Sequence, residues 1–155
     1  MDILQLRGVH KTYHLGGHVV LALQGVDLDL APGEMLALTG PSGSGKSTLL
    51  NIAGLVDRPD AGTVALRGRS VHALDETAAT LLRRDAIGFV FQGFNLVPVM
   101  SVHDNVDYAL FIAGVRAAER RQRVAAMLDA VGLLAHAAHR PDALSGGQRQ
   151  RVAIA

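Results

Sequence analysis

Gly40-Pro41-Ser42-Gly43-Ser44-Gly45-Lys46-Ser47 is the stretch on which the fold turns. It fits the pattern G-x-x-x-x-G-K-[ST]. The glycines permit backbone angles and a closeness of approach that a side chain would forbid. Successive N–H groups in such a loop point inward and cradle phosphate oxygens. The helix that follows, which Thr48 continues, adds its positive N-terminal end. On this pattern Lys46 reaches the β- and γ-phosphates of a nucleotide, expected to be ATP, and the Ser47 hydroxyl ligates Mg²⁺.

Upstream of the loop, Met35-Leu36-Ala37-Leu38 is a continuous apolar run, which predicts a strand buried on both faces. Val26-Asp27-Leu28-Asp29-Leu30 alternates and predicts a half-exposed strand, closed by the turn Ala31-Pro32-Gly33. Downstream, a helix starts near Lys46 and carries Leu49, Leu50 and Ile52. After the turn Arg58-Pro59-Asp60-Ala61-Gly62 comes a strand, Thr63-Val64-Ala65-Leu66. Asp75 is placed to cap a helix to Arg84, and Ile87-Gly88-Phe89-Val90-Phe91 reads as a second buried strand. Ser101 is placed to cap a helix through Ala113. Val124, Met127, Leu128 and Val131 keep helical spacing up to Gly132, and Ser145 opens a last helix. A buried strand that feeds a phosphate loop wants parallel partners on both sides, and only residues 87–91 offer one. The expectation is a piece of a larger domain, with a small complete domain as the alternative.

Composition narrows the classes. The 155 residues suffice for one domain with a hydrophobic core. With 49% hydrophobic and 19% charged residues the chain is globular in type, and a formal net charge of +1 gives no strong field toward nucleic acid or an anionic membrane. The absence of cysteine excludes disulfides and thiolate metal sites. Met1-Asp2-Ile3-Leu4-Gln5 lacks the features of a secretory signal, and no apolar run is long enough to span a membrane. Basic residues are nearly all arginine. Lys11 and Lys46 are the only lysines, so Lys46 is a lysine kept where arginine is the habit. His136 and His139, three apart, could meet on one helix face, but two histidines are too few for a metal site and are read as solvated or capping groups. The other histidines are scattered and carry no chemistry. Arg116, Arg120, Arg121 and Arg123 with Glu119 read as a solvated helix face.

Leu144-Ser145-Gly146-Gly147-Gln148 is a second glycine-bearing loop at a helix start. Alone it is either a capped helix boundary or a second anion site. Together with the first loop it makes the chain resemble the nucleotide-binding domain of an ABC transporter. Residues 40–48 are similar to that family's Walker A loop and residues 144–148 to its LSGGQ signature. Gln92 falls at its Q-loop glutamine, and Tyr13 at the aromatic that stacks on adenine. The order and spacing agree over the whole chain. The stretch Phe89-Val90-Phe91-Gln92-Gly93-Phe94-Asn95-Leu96-Val97-Pro98, with Asn105-Val106, resembles the branch serving lipoprotein release and macrolide or peptide export.

The resemblance implies an α/β P-loop NTPase fold of the ABC ATPase type, with an N-terminal antiparallel β part, a helical subdomain, and the C-terminal part of the core missing. It implies a nucleotide-binding core over about residues 1–92, a helical subdomain over 93–143, and the signature with the start of its helix over 144–155. It implies a head-to-tail pair, as a homodimer or with a second ABC domain, that traps ATP between partners. In that pair Ser145, Gly146, Gly147 and Gln148 contact the ATP held by the other copy. Ser47 and Gln92 hold Mg²⁺, and Lys46 and Gln92 support the reaction. It implies an integral-membrane permease as partner, a cytoplasmic place on the inner face of the membrane, and no nucleic acid. The family's Walker B aspartate and catalytic glutamate lie beyond the signature and are not among these residues, so the chain as given is expected to bind nucleotide weakly, if at all, and not to hydrolyse it. An ABC ATPase outside transport, or a binding-only remnant, is the alternative function.

Overall fold

The computed structural model describes residues 2–155, which form two compact units, one running to Gly88 and one over Phe89–Ala155. The first begins with a long hairpin, β1 (Leu4–Leu15) and β2 (His18–Leu30). The Val26–Leu30 alternation is the end of β2. The earlier part, His18-Val19-Val20-Leu21-Ala22-Leu23, was not legible as a strand because its apolar residues do not alternate. Gly16 and Gly17 make the turn, with φ of 52° and 86°. A two-residue hairpin loop with both φ positive matches the strand twist, and glycine reaches it without strain. After β2 come α1 (Lys46–Ala53), β3 (Ala61–Leu66), β4 (Arg69–Ser70) and α2 (Glu76–Ala86). The sheet runs β2-β1-β3-β4 and is antiparallel throughout.

Register places Leu6 opposite both Leu28 and Val64, and Leu4 opposite both Leu30 and Leu66. The pairing shifts between Leu6 and Val9, where Gly8 has φ 54°. There β3 comes very close: a methyl group on Gly62 would stand 2.3 Å from the Gly8 carbonyl oxygen. Leu6, Val9 and Val64 are fully buried, and α1 lays Leu49 and Ile52 onto them. Each such side chain contributes roughly 1.5–3 kcal/mol by leaving water. Leu50, on the other face of α1, is exposed. Asp75 caps α2, accepting from Ala78 N at 2.7 Å.

Two expected strands do not form. Residues 35–38 and 87–91 join no ladder among the described residues, and Met35 is 96% exposed. The apolar runs are real, but a strand buried on both faces needs a neighbour on each edge, and the antiparallel sheet uses its own strands. Val90 and Phe91 are accordingly exposed, with the Phe89 and Phe91 rings stacked 5.7 Å apart.

The second unit holds α3 (Val102–Ile112), α4 (Ala117–Ala130), short 3-10 turns at Leu134–His136 and Pro141–Ala143, and α5 (Gly146–Ile154). Ser101 opens α3 with a capping box closed by Asp104. Asn105 Oδ1 accepts from Val97 N, and its Nδ2 donates to the carbonyls of Val97, Met100 and Ser101, fixing the loop before α3. Val102, Val106, Val124, Leu128, Leu133, Leu144 and Val152 form the core, which tethers the start of α5 through Leu144. Arg120 departs from the solvated face expected of it. It donates to Asp107 at 2.7 Å and to the Val115 carbonyl, and lies over the Phe111 ring. The α3–α4 packing brings these groups together, and no spacing within α4 could signal it.

Candidate functional site

The phosphate loop is built where β2 and α1 meet. Gly40, Gly43 and Gly45 have φ of 147°, 81° and 85°. Gly45 sits just ahead of α1, and its carbonyl accepts the first helical bond from Leu49 N at 2.8 Å. A methyl group there would stand 2.4 Å from the Ala22 carbonyl oxygen of β2. So this glycine answers to two demands at once, a left-handed backbone and contact with a strand. No side chain caps α1 and no acidic residue occupies its first turn. Its first N–H groups are left without the usual internal partners, which is what an anion site at a helix start requires.

Lys46 folds over this loop. Its ammonium donates to the carbonyls of Gly40 at 2.9 Å and Pro41 at 2.6 Å, and lies 3.3 Å from Ser44 Oγ. The ammonium of the loop is therefore held by exposed neutral acceptors, against which a charged phosphate oxygen would be the stronger partner.

One cavity of about 270 Å³ joins the loop to the hairpin. It is lined by residues 42–48 and by Tyr13, Val20 and Ala22. Tyr13 and Val20 are cross-strand partners of the hairpin. The structure thus brings Tyr13 together with Ser42, Gly43, Ser44, Gly45, Lys46, Ser47 and Thr48, an aromatic wall beside the glycine loop. Among the described residues no carboxylate lines this cavity.

The tyrosine is anchored. Its hydroxyl donates to Asp57 Oδ2 at 2.7 Å, while Lys11 Nζ donates to Asp57 Oδ1 at 2.8 Å and to the Arg58 carbonyl at 2.7 Å. The Lys11 ammonium also lies 5.3 Å from the centre of the Tyr13 ring. The hydrogen bond to Asp57 raises the Tyr13 pKa. Partial burial would raise that of Asp57, but the bonds from Lys11, Tyr13 and the Arg58 backbone outweigh it and hold the carboxyl low. Lys11 behaves the same way in mirror image, with burial overridden by Asp57 so that its pKa rises. Sequence reasoning missed Lys11 and Asp57 as supports of Tyr13. The signal was available for Lys11, the other lysine in an arginine-rich chain.

Gln92 and the signature belong to the second unit. Gln92 is exposed and leads into Phe94 and Asn95, two consecutive non-glycine residues with φ of 63° and 51°. Phe94 offers its ring to the Arg149 guanidinium at 5.5 Å, just after the signature. Ser145 caps α5 through a capping box: its N–H donates to Gln148 Oε1 at 2.8 Å, and Gln148 N donates back to Ser145 Oγ at 3.3 Å. Gly146 and Gly147 are exposed, and a methyl group on either would meet nothing within 4 Å. His136 and His139 do meet, Nδ1 to Nδ1 at 3.0 Å, and His136 also touches Gln148.

A glycine-lined loop docked on a strand, opening an uncapped helix, defines a P-loop nucleotide-binding domain. Comparison with known proteins agrees. The family model described as ABC transporter matches residues 23–155. The lipoprotein-releasing system ATP-binding protein LolD of Hyphomonas neptunium is 45% identical over 153 residues, covering 99% of this chain and 67% of that protein. The macrolide export ATP-binding/permease protein MacB of Marinobacter nauticus is 47% identical over 153 residues, covering 99% of this chain and 24% of that protein. Among solved structures, a dimeric post-hydrolysis state of the ATP-binding cassette MJ0796 bound to ADP and Pi superimposes with a TM-score of 0.89 at 43% identity, over 97% of this chain and 67% of that one. The chain belongs to the ABC transporter family and has the α/β P-loop fold of its ATP-binding cassettes.

Proposed function

We propose that this chain is the ATP-binding part of a transporter subunit that serves export or lipoprotein release, as the names of its relatives suggest. The observation that carries nucleotide binding is the shared cavity of Tyr13 and the loop. Residues 40–48 receive the triphosphate, Lys46 exchanging its carbonyl partners for phosphate oxygens, and Tyr13 stacks on the base. Ser47 would hold Mg²⁺, which when bound would neutralise charge on the terminal phosphates, and the family resemblance assigns Gln92 to the same ion.

Gly146 and Gly147 support the pairing. Both have open space where a side chain would stand, and neither needs a positive φ. Nothing among the described residues asks for glycine there, and glycine costs a helix up to about 1 kcal/mol against alanine. A close approach from outside explains both: the nucleotide held by a second cassette, docked head to tail. The relative solved as a dimer with ADP and Pi is consistent with this. A membrane permease is the further partner, and it places the pair on the cytoplasmic face of the membrane.

Lys46 and Gln92 assist hydrolysis in the complete assembly. The 155 residues alone bind nucleotide weakly and do not turn it over, because no carboxylate lines the cavity to take the proton of an attacking water. The test is phosphate release by the purified chain. The reading predicts a rate no higher than that of the Lys46→Ala variant, and a Lys46-dependent rate would overturn it.

A further inference from the structure

A chain of hydrogen bonds beside the signature has its proton positions set from one end. The Ser145 backbone N–H can only donate, and it donates to Gln148 Oε1 at 2.8 Å. This orients the carboxamide, so Gln148 Nε2 is the atom that faces His136 Nε2 at 3.3 Å. An amide nitrogen donates and does not accept. His136 Nε2 therefore accepts, and in the neutral ring the single proton sits on Nδ1. That nitrogen lies 3.0 Å from His139 Nδ1, which accepts in turn. The sequence of donors is Ser145 to Gln148 to His136 to His139.

The frame that carries the two rings is clamped. His139 N donates to the His136 carbonyl at 2.9 Å, Val102 N to the His139 carbonyl at 2.8 Å, and His103 N to the Ala137 carbonyl at 2.9 Å. The histidines thus hang from the start of α3 as well as from their own turn. Without His136, the Gln148 side chain would keep one of these two hydrogen bonds, the one from Ser145 N–H. We propose that His136 is a positioning residue for Gln148, holding the last side chain of the signature in the orientation that caps Ser145 and presents the loop. Gln148 sets the His136 tautomer, and His139 accepts the Nδ1 proton that results. The proposal rests on the reading of the signature as the surface that meets a partner's nucleotide.

The test is ring-nitrogen NMR on the 155-residue chain at alkaline pH, with hydrogen exchange of the Ser145 amide. His136 is expected as the Nδ1–H tautomer, and Gln148→Leu is expected to return it to the Nε2–H form that histidine prefers in water. His136→Leu should speed Ser145 exchange about fivefold, the size of one net hydrogen bond. His136→Gln supplies an acceptor oxygen and should keep exchange within about twofold of the parent. An Nε2–H tautomer in the parent, or unchanged Ser145 exchange in His136→Leu, overturns the proposal. Neither readout involves nucleotide, so failure here is distinct from failure of the pairing itself.

Discussion

The Tyr13 hydroxyl donates to Asp57 across 2.7 Å, joining the hairpin to the loop that follows α1. Lys11 holds the other oxygen of the same carboxylate. An aromatic ring on a strand edge is ordinarily free to rotate. Here it is tied at its far end, and it faces the phosphate loop in one cavity. Tyr13→Ala should weaken ATP binding by about tenfold, within the range for loss of one base–aromatic stack. Binding of inorganic tripolyphosphate, which has no base, should not change. Tyr13→Phe keeps the ring and should fall between. Calorimetric titration with the two ligands separates the cases.

The same carboxylate makes stability depend on pH. Asp57 has its pKa lowered in the fold, so its contribution is present above the unfolded carboxylate value of about 4 and is lost as pH falls through the lower folded value. Lys11 is raised, so its contribution is full below about pH 10 and is lost on further alkalinisation. Urea unfolding across pH 2–5, a range set by the carboxylate value of about 4, should show a steeper loss of stability in the parent than in Asp57→Asn. At neutral pH Asp57→Asn should cost about 1–2 kcal/mol, since it weakens a partly buried charge-assisted pair.

Two loop glycines should respond differently to alanine. At Gly43 the added methyl meets open space and only the φ of 81° is unfavourable. About 1 kcal/mol is expected. At Gly45 a similar φ is joined by a 2.4 Å clash with the Ala22 carbonyl oxygen. Gly45→Ala should therefore cost at least about 2 kcal/mol, read as a lower urea midpoint with an unchanged slope.

Gly147→Ala inverts the usual link between stability and function. The site is open, so folding should be unchanged or improved by up to about 1 kcal/mol. ATP-dependent association of two chains, followed by sedimentation, should be impaired. Impaired folding would show that the glycine serves its own chain instead.

Much of the local geometry around the candidate site was legible because its demands are local. Gly40 to Ser47 carries its own turn geometry, and Asp75, Ser101 and Ser145 each cap the helix beside them. What the sequence hid depends on distant partners. Residues 35–38 and 87–91 have the composition of buried strands, yet a strand exists only where another offers its edge. The anchoring of Tyr13 by Asp57 spans 44 residues, and Arg120 finds Asp107 on another helix. The contact of His136 with Gln148 crosses the turn between two elements, so helical spacing could pair His136 with His139 but could not reach the signature.

The central claim is that residues 40–48 hold the triphosphate through Lys46. Amide chemical-shift mapping of the chain titrated with MgATP tests it most directly. The account predicts millimolar-range shifts concentrated at residues 42–48 and on the Tyr13 ring, absent with AMP, and weakened about tenfold or more in Lys46→Ala. Shifts that leave the loop untouched, or that persist unchanged in Lys46→Ala, would contradict it.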